Sequence, residues 1–181
     1  QLRVMSNGRI QFGNNFCGYG TQTVSPVTYP YGYPNSNLNR TMKLYGADLD
    51  PSATGSGTTC APATCHVRYA SLGASPNRSF VVTWTNVPEW SQAGSSFTMQ
   101  AILYENGEFV FQFGASTNTS GGRAETGWQV STTDYQVAAT TLPASGTALR
   151  FWQPPAQTIC IPPGYVLDAG AGRVRAYSLQ G

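Results

Sequence analysis

The sequence has few charged residues and a single histidine. Of its 181 residues, 10 are Lys or Arg and 8 are Asp or Glu. The arginines are scattered from Arg3 to Arg175, so the chain lacks the clustered basic patch with which proteins bind nucleic acid. Uncharged polar residues and glycine must therefore cover most of the surface, as they do in secreted and cell-surface β proteins. We expect no nucleic-acid partner.

Long apolar runs are also missing. No run approaches the roughly 20 residues that a membrane-spanning helix needs, so we expect a chain that does not span the membrane. No segment longer than about ten residues keeps a 3.6-residue apolar period without Gly, Pro or a β-branched run. Short alternating segments bounded by turn residues occur instead. The sequence therefore predicts an all-β fold with little helix.

Two hairpins are predicted from turn residues between strand-like segments. In the first, the letters SNG lie between Val4 and Ile10. In the second, Asn106 and Gly107 are the residues that a type I′ turn favours, because both of its central positions need a positive φ. Both faces of the segment Ala101–Tyr104 are apolar. We therefore predict that this strand is central in its sheet and covered on both sides.

Other strands are predicted from alternation. In the segment RSFVVTWTNV, Phe80, Val82 and Trp84 share one face, as side chains two apart on a strand do. The segment TMKLYGADLD predicts a strand that ends at Asp48 to Asp50. Further strands are predicted in HVRYASLG, AETGWQVS, DYQVAA and TALRFWQP.

The four cysteines favour disulfides. An even number in a chain of this polarity indicates two bridges and an oxidising compartment. We predict that Cys60 pairs with Cys65 across the short CAPATC loop, and that Cys17 pairs with Cys160. The second bridge would stabilise the fold by on the order of 4 kcal/mol in the loop-entropy model. As an alternative, Cys60, Cys65 and His66 could bind zinc, although a zinc site usually has four ligands.

Asp48 and Asp50 form the only close carboxylate pair. Two positions apart on a strand, they could both face a Ca²⁺ ion, or act as a hydrolase pair. An Asp pair before a proline also commonly caps a turn by accepting backbone N–H groups. We favour the turn and keep calcium as the alternative. No nucleophile motif accompanies His66, so we predict no catalytic residues and no enzyme.

Two long loops are predicted at Gly18 to Asn39 and Asp50 to Thr64. Long loops on a rigid sheet often carry function.

Four aromatic residues are candidates for partner binding in or near such loops. Exposed rings could stack on sugars or anchor a protein partner. The alternative is that they fold back and fill the edge of the core. The candidates are Tyr29, Tyr31, Tyr33 and Trp90.

Five motifs occur in a characteristic order. They are VMSNGRIQFG, YGADLDPS, VRYASLGASPNRSFVVTWTNVP, FTMQAILYENGEFVFQFG and ALRFWQPP. Together they resemble the nidogen-type (NIDO-like) extracellular domain, in the bacterial form found in large surface proteins and in pilus-associated agglutinins of the mannose-sensitive haemagglutinin type. The resemblance runs from about Val4 to Pro155, and the ordered set is specific although each motif alone is weak.

The resemblance implies an antiparallel β-sandwich with long loops, exported to the cell surface or the extracellular space and without known catalytic activity. Residues 1–155 would form this domain, and residues 156–181 a tail strand or the start of another module. The expected function is adhesion or pilus association through loops that bind a protein or a surface glycan.

Two alternative functions stay open. In a filament subunit, Gln1–Phe12 or Arg173–Leu179 would add a strand to another copy of the chain or to a pilus subunit. A carbohydrate-binding module would instead use the exposed aromatic residues.

Overall fold

The computed structural model describes residues 1–13, 36–52, 60–119, 125–152, 165–168 and 175–178. Within them, strands dominate, with one turn of 3₁₀ helix at Ser36–Leu38. No helix among these residues is long and apolar enough to cross a membrane. The strands are β1 Leu2–Met5, β2 Arg9–Phe12, β3 Thr41–Lys43, β4 His66–Leu72, β5 Ser79–Val87, β6 Phe97–Tyr104, β7 Phe109–Phe113, β8 Thr126–Ser131, β9 Asp134–Ala139, β10 Ala148–Phe151, β11 Tyr165–Asp168 and β12 Arg175–Ser178.

The strands form two five-stranded antiparallel sheets, which confirms the predicted β-sandwich. Sheet I has the order β1-β2-β3-β8-β9, and sheet II has the order β10-β7-β6-β5-β4. The β11–β12 hairpin forms a separate two-stranded sheet. The first predicted hairpin is confirmed, because β1 pairs with β2 across the SNG turn. The strands predicted in the segments that became β4, β5, β8, β9 and β10 are also confirmed.

The core lies between the two sheets. Val82 and Trp84 are fully buried, and Phe80 packs against the same cluster, which confirms the predicted apolar face of β5. The indole Nε1 of Trp84 donates to the carbonyl oxygens of Met5 (3.1 Å) and Ser6 (3.0 Å). Trp84 of sheet II therefore contacts the first hairpin of sheet I through hydrogen bonds as well as through packing.

The face of sheet I opposite to Ile10 is polar and buried. Gln11 on β2 donates from Nε2 to the carbonyl oxygens of Asn37 and Asn39, both at 3.1 Å. Lys43 on β3 is almost fully buried, with its Nζ 3.1 Å from Oε2 of Glu125. Burial lowers the pKa of Lys43, while the charge and hydrogen bond of Glu125 act in the opposite direction. Buried hydrogen bonds and ion pairs of this kind favour one arrangement of the face over others.

Strand β3 is shorter than predicted. It ends at Lys43, and the next residue, Leu44, donates its N–H to the Gly8 carbonyl at 3.0 Å. The chain then leaves the ladder, and Leu44, Tyr45 and Leu49 are all buried. The prediction of one strand to Asp48–Asp50 was wrong, because the apolar residues after Lys43 are buried in the core without continuing the strand ladder.

Strand β6 is central in sheet II, as predicted, but it is not covered on both faces. Phe97, Met99 and Ala101 are buried on the core side. On the other face Ile102 is only half-buried and Tyr104 is exposed. The prediction of full coverage was wrong, since apolar residues on the outer face of an antiparallel sheet can remain partly in water.

The β6–β7 turn is a different type from the predicted one. Gly107 has a φ of 90°, whereas Asn106 does not have a positive φ. The Gly107 N–H donates to the Tyr104 carbonyl (3.0 Å), and the Tyr104 N–H donates to the Glu108 carbonyl (2.9 Å). This is a three-residue loop that ends in a left-handed glycine. The type I′ prediction was wrong because Asn106 uses its Oδ1 to accept the Glu108 N–H (3.0 Å).

Glu105 in this turn is held by Arg78, the residue directly before β5. Its carboxylate accepts from Arg78 Nη2 (2.6 Å), Nε (3.0 Å) and the backbone N–H (3.0 Å), and from Ser75 Oγ (3.1 Å). The Arg78 side chain, followed by its backbone N–H, lowers the pKa of Glu105 from 4.5 to about 2. Stability from this pair is therefore fully present above the unfolded pKa and is lost as the pH falls towards 2.

We expect Arg78→Met to return the pKa of Glu105 towards 4.5, because the substitution removes both guanidinium hydrogen bonds. The carboxyl carbon of Glu105 can be followed by NMR during an acid titration. The control is Arg150→Met, which breaks the separate pair between Arg150 and Glu108 (2.7 Å). A Glu105 pKa that does not change in Arg78→Met would contradict the assignment.

Candidate functional site

The segment after β3 and the loop after β5 meet at one end of the sandwich. Leu49 and Glu89 form an antiparallel bridge, and the Trp90 N–H donates to the Asp48 carbonyl at 2.6 Å. These residues are some 40 positions apart, so only the fold brings them together. We call this surface the Trp90 corner and define it by Asp48, Asp50, Glu89 and Trp90.

Trp90 is the exposed aromatic residue of the corner, with 48% of its surface accessible. Its backbone is fixed by the bond to Asp48 and is followed by Ser91, which has a φ of 57°. The Ser95 hydroxyl braces the loop, since it accepts from the Glu89 N–H (2.8 Å) and donates to the Gln92 carbonyl (2.7 Å). The loop therefore presents a large ring on a backbone that is already ordered.

Two of the three carboxylates of the corner, those of Asp48 and Asp50, differ in their surroundings. Asp50 Oδ1 accepts the Ser52 N–H at 2.9 Å, which is the turn geometry that the sequence favoured. Burial, and then the charge of Asp50, raise the pKa of Asp48. Among the residues that the structure describes, no group of three or more His, Cys, Asp or Glu could hold a metal ion. Calcium at Asp48 and Asp50 remains a prediction.

Cys60 and Cys65 form a disulfide, as predicted, with their Cα atoms 5.1 Å apart. Both cysteines belong to the buried core. The loop between them turns tightly, because the N–H groups of Thr64 and Cys65 both donate to the Ala61 carbonyl. The disulfide uses both sulfurs, so the zinc alternative with His66 was wrong.

The other predicted site residues lie outside the described parts of the chain. They are the proposed bridge partners and the three tyrosines of the first long loop: Cys17, Cys160, Tyr29, Tyr31 and Tyr33. Their roles stay predictions.

The structure also contains an apolar groove that the sequence did not predict. It has a volume of about 830 Å³, within the range of ligand-sized cavities. We call it the inter-sheet groove, because its walls come from β2, β3, β8 and β9 of sheet I and from β7 and β10 of sheet II. Its apolar lining includes Phe12, Met42, Phe109, Trp128, Val130, Leu149, Phe151 and Trp152.

The wall of the groove on sheet II is aromatic. The rings of Phe109 and Phe151 stack with centroids 4.5 Å apart. The Arg150 guanidinium lies 5.9 Å from the ring centre of Trp152, a distance typical of a cation–π contact. Strand alternation predicts which of these side chains share a face, but it does not predict that the two sheets diverge there.

Residues 1–154 match a family model described as NIDO related. The match covers both five-stranded sheets and the Trp90 corner, and it confirms the resemblance to a nidogen-type domain that the motifs indicated. No curated protein and no solved structure matches the chain.

Proposed function

The chain belongs to the NIDO-related family, and from this we propose that it is a non-enzymatic adhesion or pilus-associated domain that binds its partner through the Trp90 corner. The family and the Cys60–Cys65 disulfide are compatible with an extracellular domain. Export to the cell surface is part of the proposal.

The observation that supports binding is the presentation of Trp90. A half-exposed indole on an ordered loop offers a large apolar area with little conformational entropy left to lose. Such aromatic residues contribute a large share of the binding energy at protein interfaces. Asp50, the first residue of the predicted loop Asp50 to Thr64, belongs to this corner.

We propose no catalytic role for the carboxylates beside Trp90. Asp50 accepts a backbone N–H in a turn, and Asp48 fixes the loop of Trp90 through its main-chain carbonyl. Both residues thus have positions that a structural role explains.

A carbohydrate ligand is the second candidate, and the same corner favours it. A sugar ring can stack on an indole, and carboxylate oxygens accept hydrogen bonds from its hydroxyl groups. Here Asp48 and Asp50 lie on the segment that is hydrogen-bonded to the Trp90 loop. The lectin alternative therefore differs from protein adhesion in the partner, and not in the site.

A filament subunit is the third candidate, favoured by β4. Among the strands that the structure describes, β4 pairs with β5 alone and forms the edge of sheet II, and Arg68 to Leu72 are exposed. An exposed edge strand of this kind is a template for strand addition. Two segments were predicted to add as a strand to another copy. One of them, Gln1–Phe12, supplies β1 and β2 of the chain's own sheet I. Assembly that increases with concentration, seen by light scattering, would favour this candidate over a display domain.

We expect Trp90→Ala to weaken partner binding by about 30-fold, the loss of an interface residue worth about 2 kcal/mol. The purified chain would be applied to a glycan array and to a panel of immobilised extracellular proteins. The matched control is Tyr135→Ala, which removes another exposed aromatic residue, on β9. Equal binding by both variants would refute the role of the corner, and an array without signal would remove the carbohydrate candidate.

Removal of calcium is expected to leave the melting temperature unchanged. Asp50 Oδ1 already accepts the Ser52 N–H, and among the described residues no group of three or more His, Cys, Asp or Glu could hold a metal ion. Thermal unfolding would be recorded with added Ca²⁺ and with a chelator, on the unmodified chain and on Asp48→Asn. A melting temperature that rises with Ca²⁺ in the unmodified chain alone would instead establish the calcium site.

A further inference from the structure

The inter-sheet groove leaves large apolar side chains in water. Val130 is 53% exposed and Trp152 is 60% exposed, and both line the groove together with Trp128 and Phe151. Contiguous exposed apolar surface in a soluble protein commonly marks a place where something binds. The groove is therefore a candidate binding surface.

The β11–β12 hairpin is separate from the two large sheets. It pairs with itself and belongs to neither five-stranded sheet. A lone two-stranded hairpin is marginal in water and becomes stable when it packs against other structure. Its register places Tyr165 opposite Ser178 and Leu167 opposite Ala176, so these positions share one uncharged face.

The other face of the hairpin is different in character. The register places Asp168 opposite Arg175 and Val166 opposite Tyr177. One face thus carries an acidic and a basic residue, while the Leu167 face carries none. This asymmetry is typical of a hairpin that is buried on one side and solvated on the other.

The sequence separation between the groove and the hairpin is short. Phe151 and Trp152 line the groove at the end of β10, and only 12 residues separate Trp152 from Tyr165. A connection of this length reaches at most about 40 Å when extended, so it keeps the hairpin close enough to reach the groove. Phe12 lines the opposite wall. Cys17 follows Phe12 by five positions and Cys160 follows Trp152 by eight, so the predicted Cys17–Cys160 bridge would link positions that are close in sequence to two groove residues.

We propose that the β11–β12 hairpin of the same chain occupies the inter-sheet groove, with its Leu167 face against Val130 and Leu149. The hairpin lies beyond residue 154, where the family match ends, so this chain would complete the sandwich with a segment outside the matched domain. The inference does not depend on the adhesion function, because the Trp90 corner is formed by other segments.

The test compares four variants of the full chain by amide hydrogen exchange. Val130→Asp alters the groove and Leu167→Asp alters the hairpin. Their controls are Leu72→Asp, at a residue on β4 that is 55% exposed, and Val166→Asp, on the opposite face of the hairpin. We expect the amides of residues 165–168 and 175–178 to exchange at least about tenfold faster in the first two variants than in the controls. The same exchange rate in all four variants would overturn the proposal.

Methyl NOEs on the unmodified chain provide a second readout, should Val130→Asp also lose the protection of β6. NOEs between Leu167 and the methyl groups of Val130 or Leu149 are expected, and their absence would overturn the proposal. A sample that mixes two differently labelled copies distinguishes NOEs within one chain from NOEs between two chains. NOEs that appear only between copies would show that a second chain, and not the same one, fills the groove.

Discussion

Trp84→Ala is expected to lower the free energy of unfolding by about 3–5 kcal/mol, as truncation of a large buried aromatic residue does. Trp84 is fully buried between the sheets, so its removal leaves a cavity that the neighbouring side chains fill only in part. It also removes the indole N–H, which donates to the carbonyl oxygens of Met5 and Ser6. Urea unfolding followed by circular dichroism gives the change directly.

Two variants separate packing from hydrogen bonding at this position. Trp84→Phe keeps much of the volume but removes the indole N–H, and is expected to cost about 1–3 kcal/mol. Trp90→Ala removes an indole from the surface and should change stability by about 0.5 kcal/mol or less. A loss below about 1 kcal/mol in Trp84→Ala would contradict the central place of this residue in the core.

Gly8→Ala is expected to destabilise the fold by about 3 kcal/mol, through a strained backbone and overpacking together. Gly8 has a φ of +69°, and an added Cβ would lie 2.5 Å from the Tyr45 carbonyl oxygen and 2.7 Å from Met99 Cε. The Tyr45 contact involves backbone, so it cannot be relieved by a change of rotamer. Chemical denaturation measures the effect.

Gly107→Ala is the matched control for this close approach. Gly107 also has a positive φ, +90°, but no atom lies within 4 Å of an added Cβ. Its expected cost is about 1 kcal/mol, from the backbone conformation alone. If Gly8→Ala and Gly107→Ala lower the free energy of unfolding by the same amount, the close approach of Gly8 to Tyr45 has no energetic effect. The explanation of the Gly8 result would then be wrong.

The strands were predictable where one physical signal was sufficient. On β5, alternation alone identified the face of Val82 and Trp84, because a half-buried strand needs apolar residues at every second position. The first hairpin followed from its turn residues. The same signals did not distinguish β3 from the segment after it, since Leu44 and Leu49 are apolar and buried in the core but do not extend the ladder of β3.

The candidate site was predictable only in its parts. Trp90 was selected as an aromatic residue beyond a strand, and Asp48 and Asp50 as a carboxylate pair. Their meeting depends on the bridge between Leu49 and Glu89, a contact between distant segments that no local pattern specifies. The inter-sheet groove depends on the divergence of two sheets, which is likewise a property of the tertiary structure.

The burial of Lys43 has a consequence for chemical labelling. It is the only lysine in the sequence, and its ammonium group lies in the interior beside Glu125. Amine-directed esters and aldehyde fixatives therefore find no accessible lysine side chain on the folded domain. Acylation of Lys43 would report the opening of sheet I, and attachment of the folded domain through a side chain needs chemistry directed at residues other than lysine.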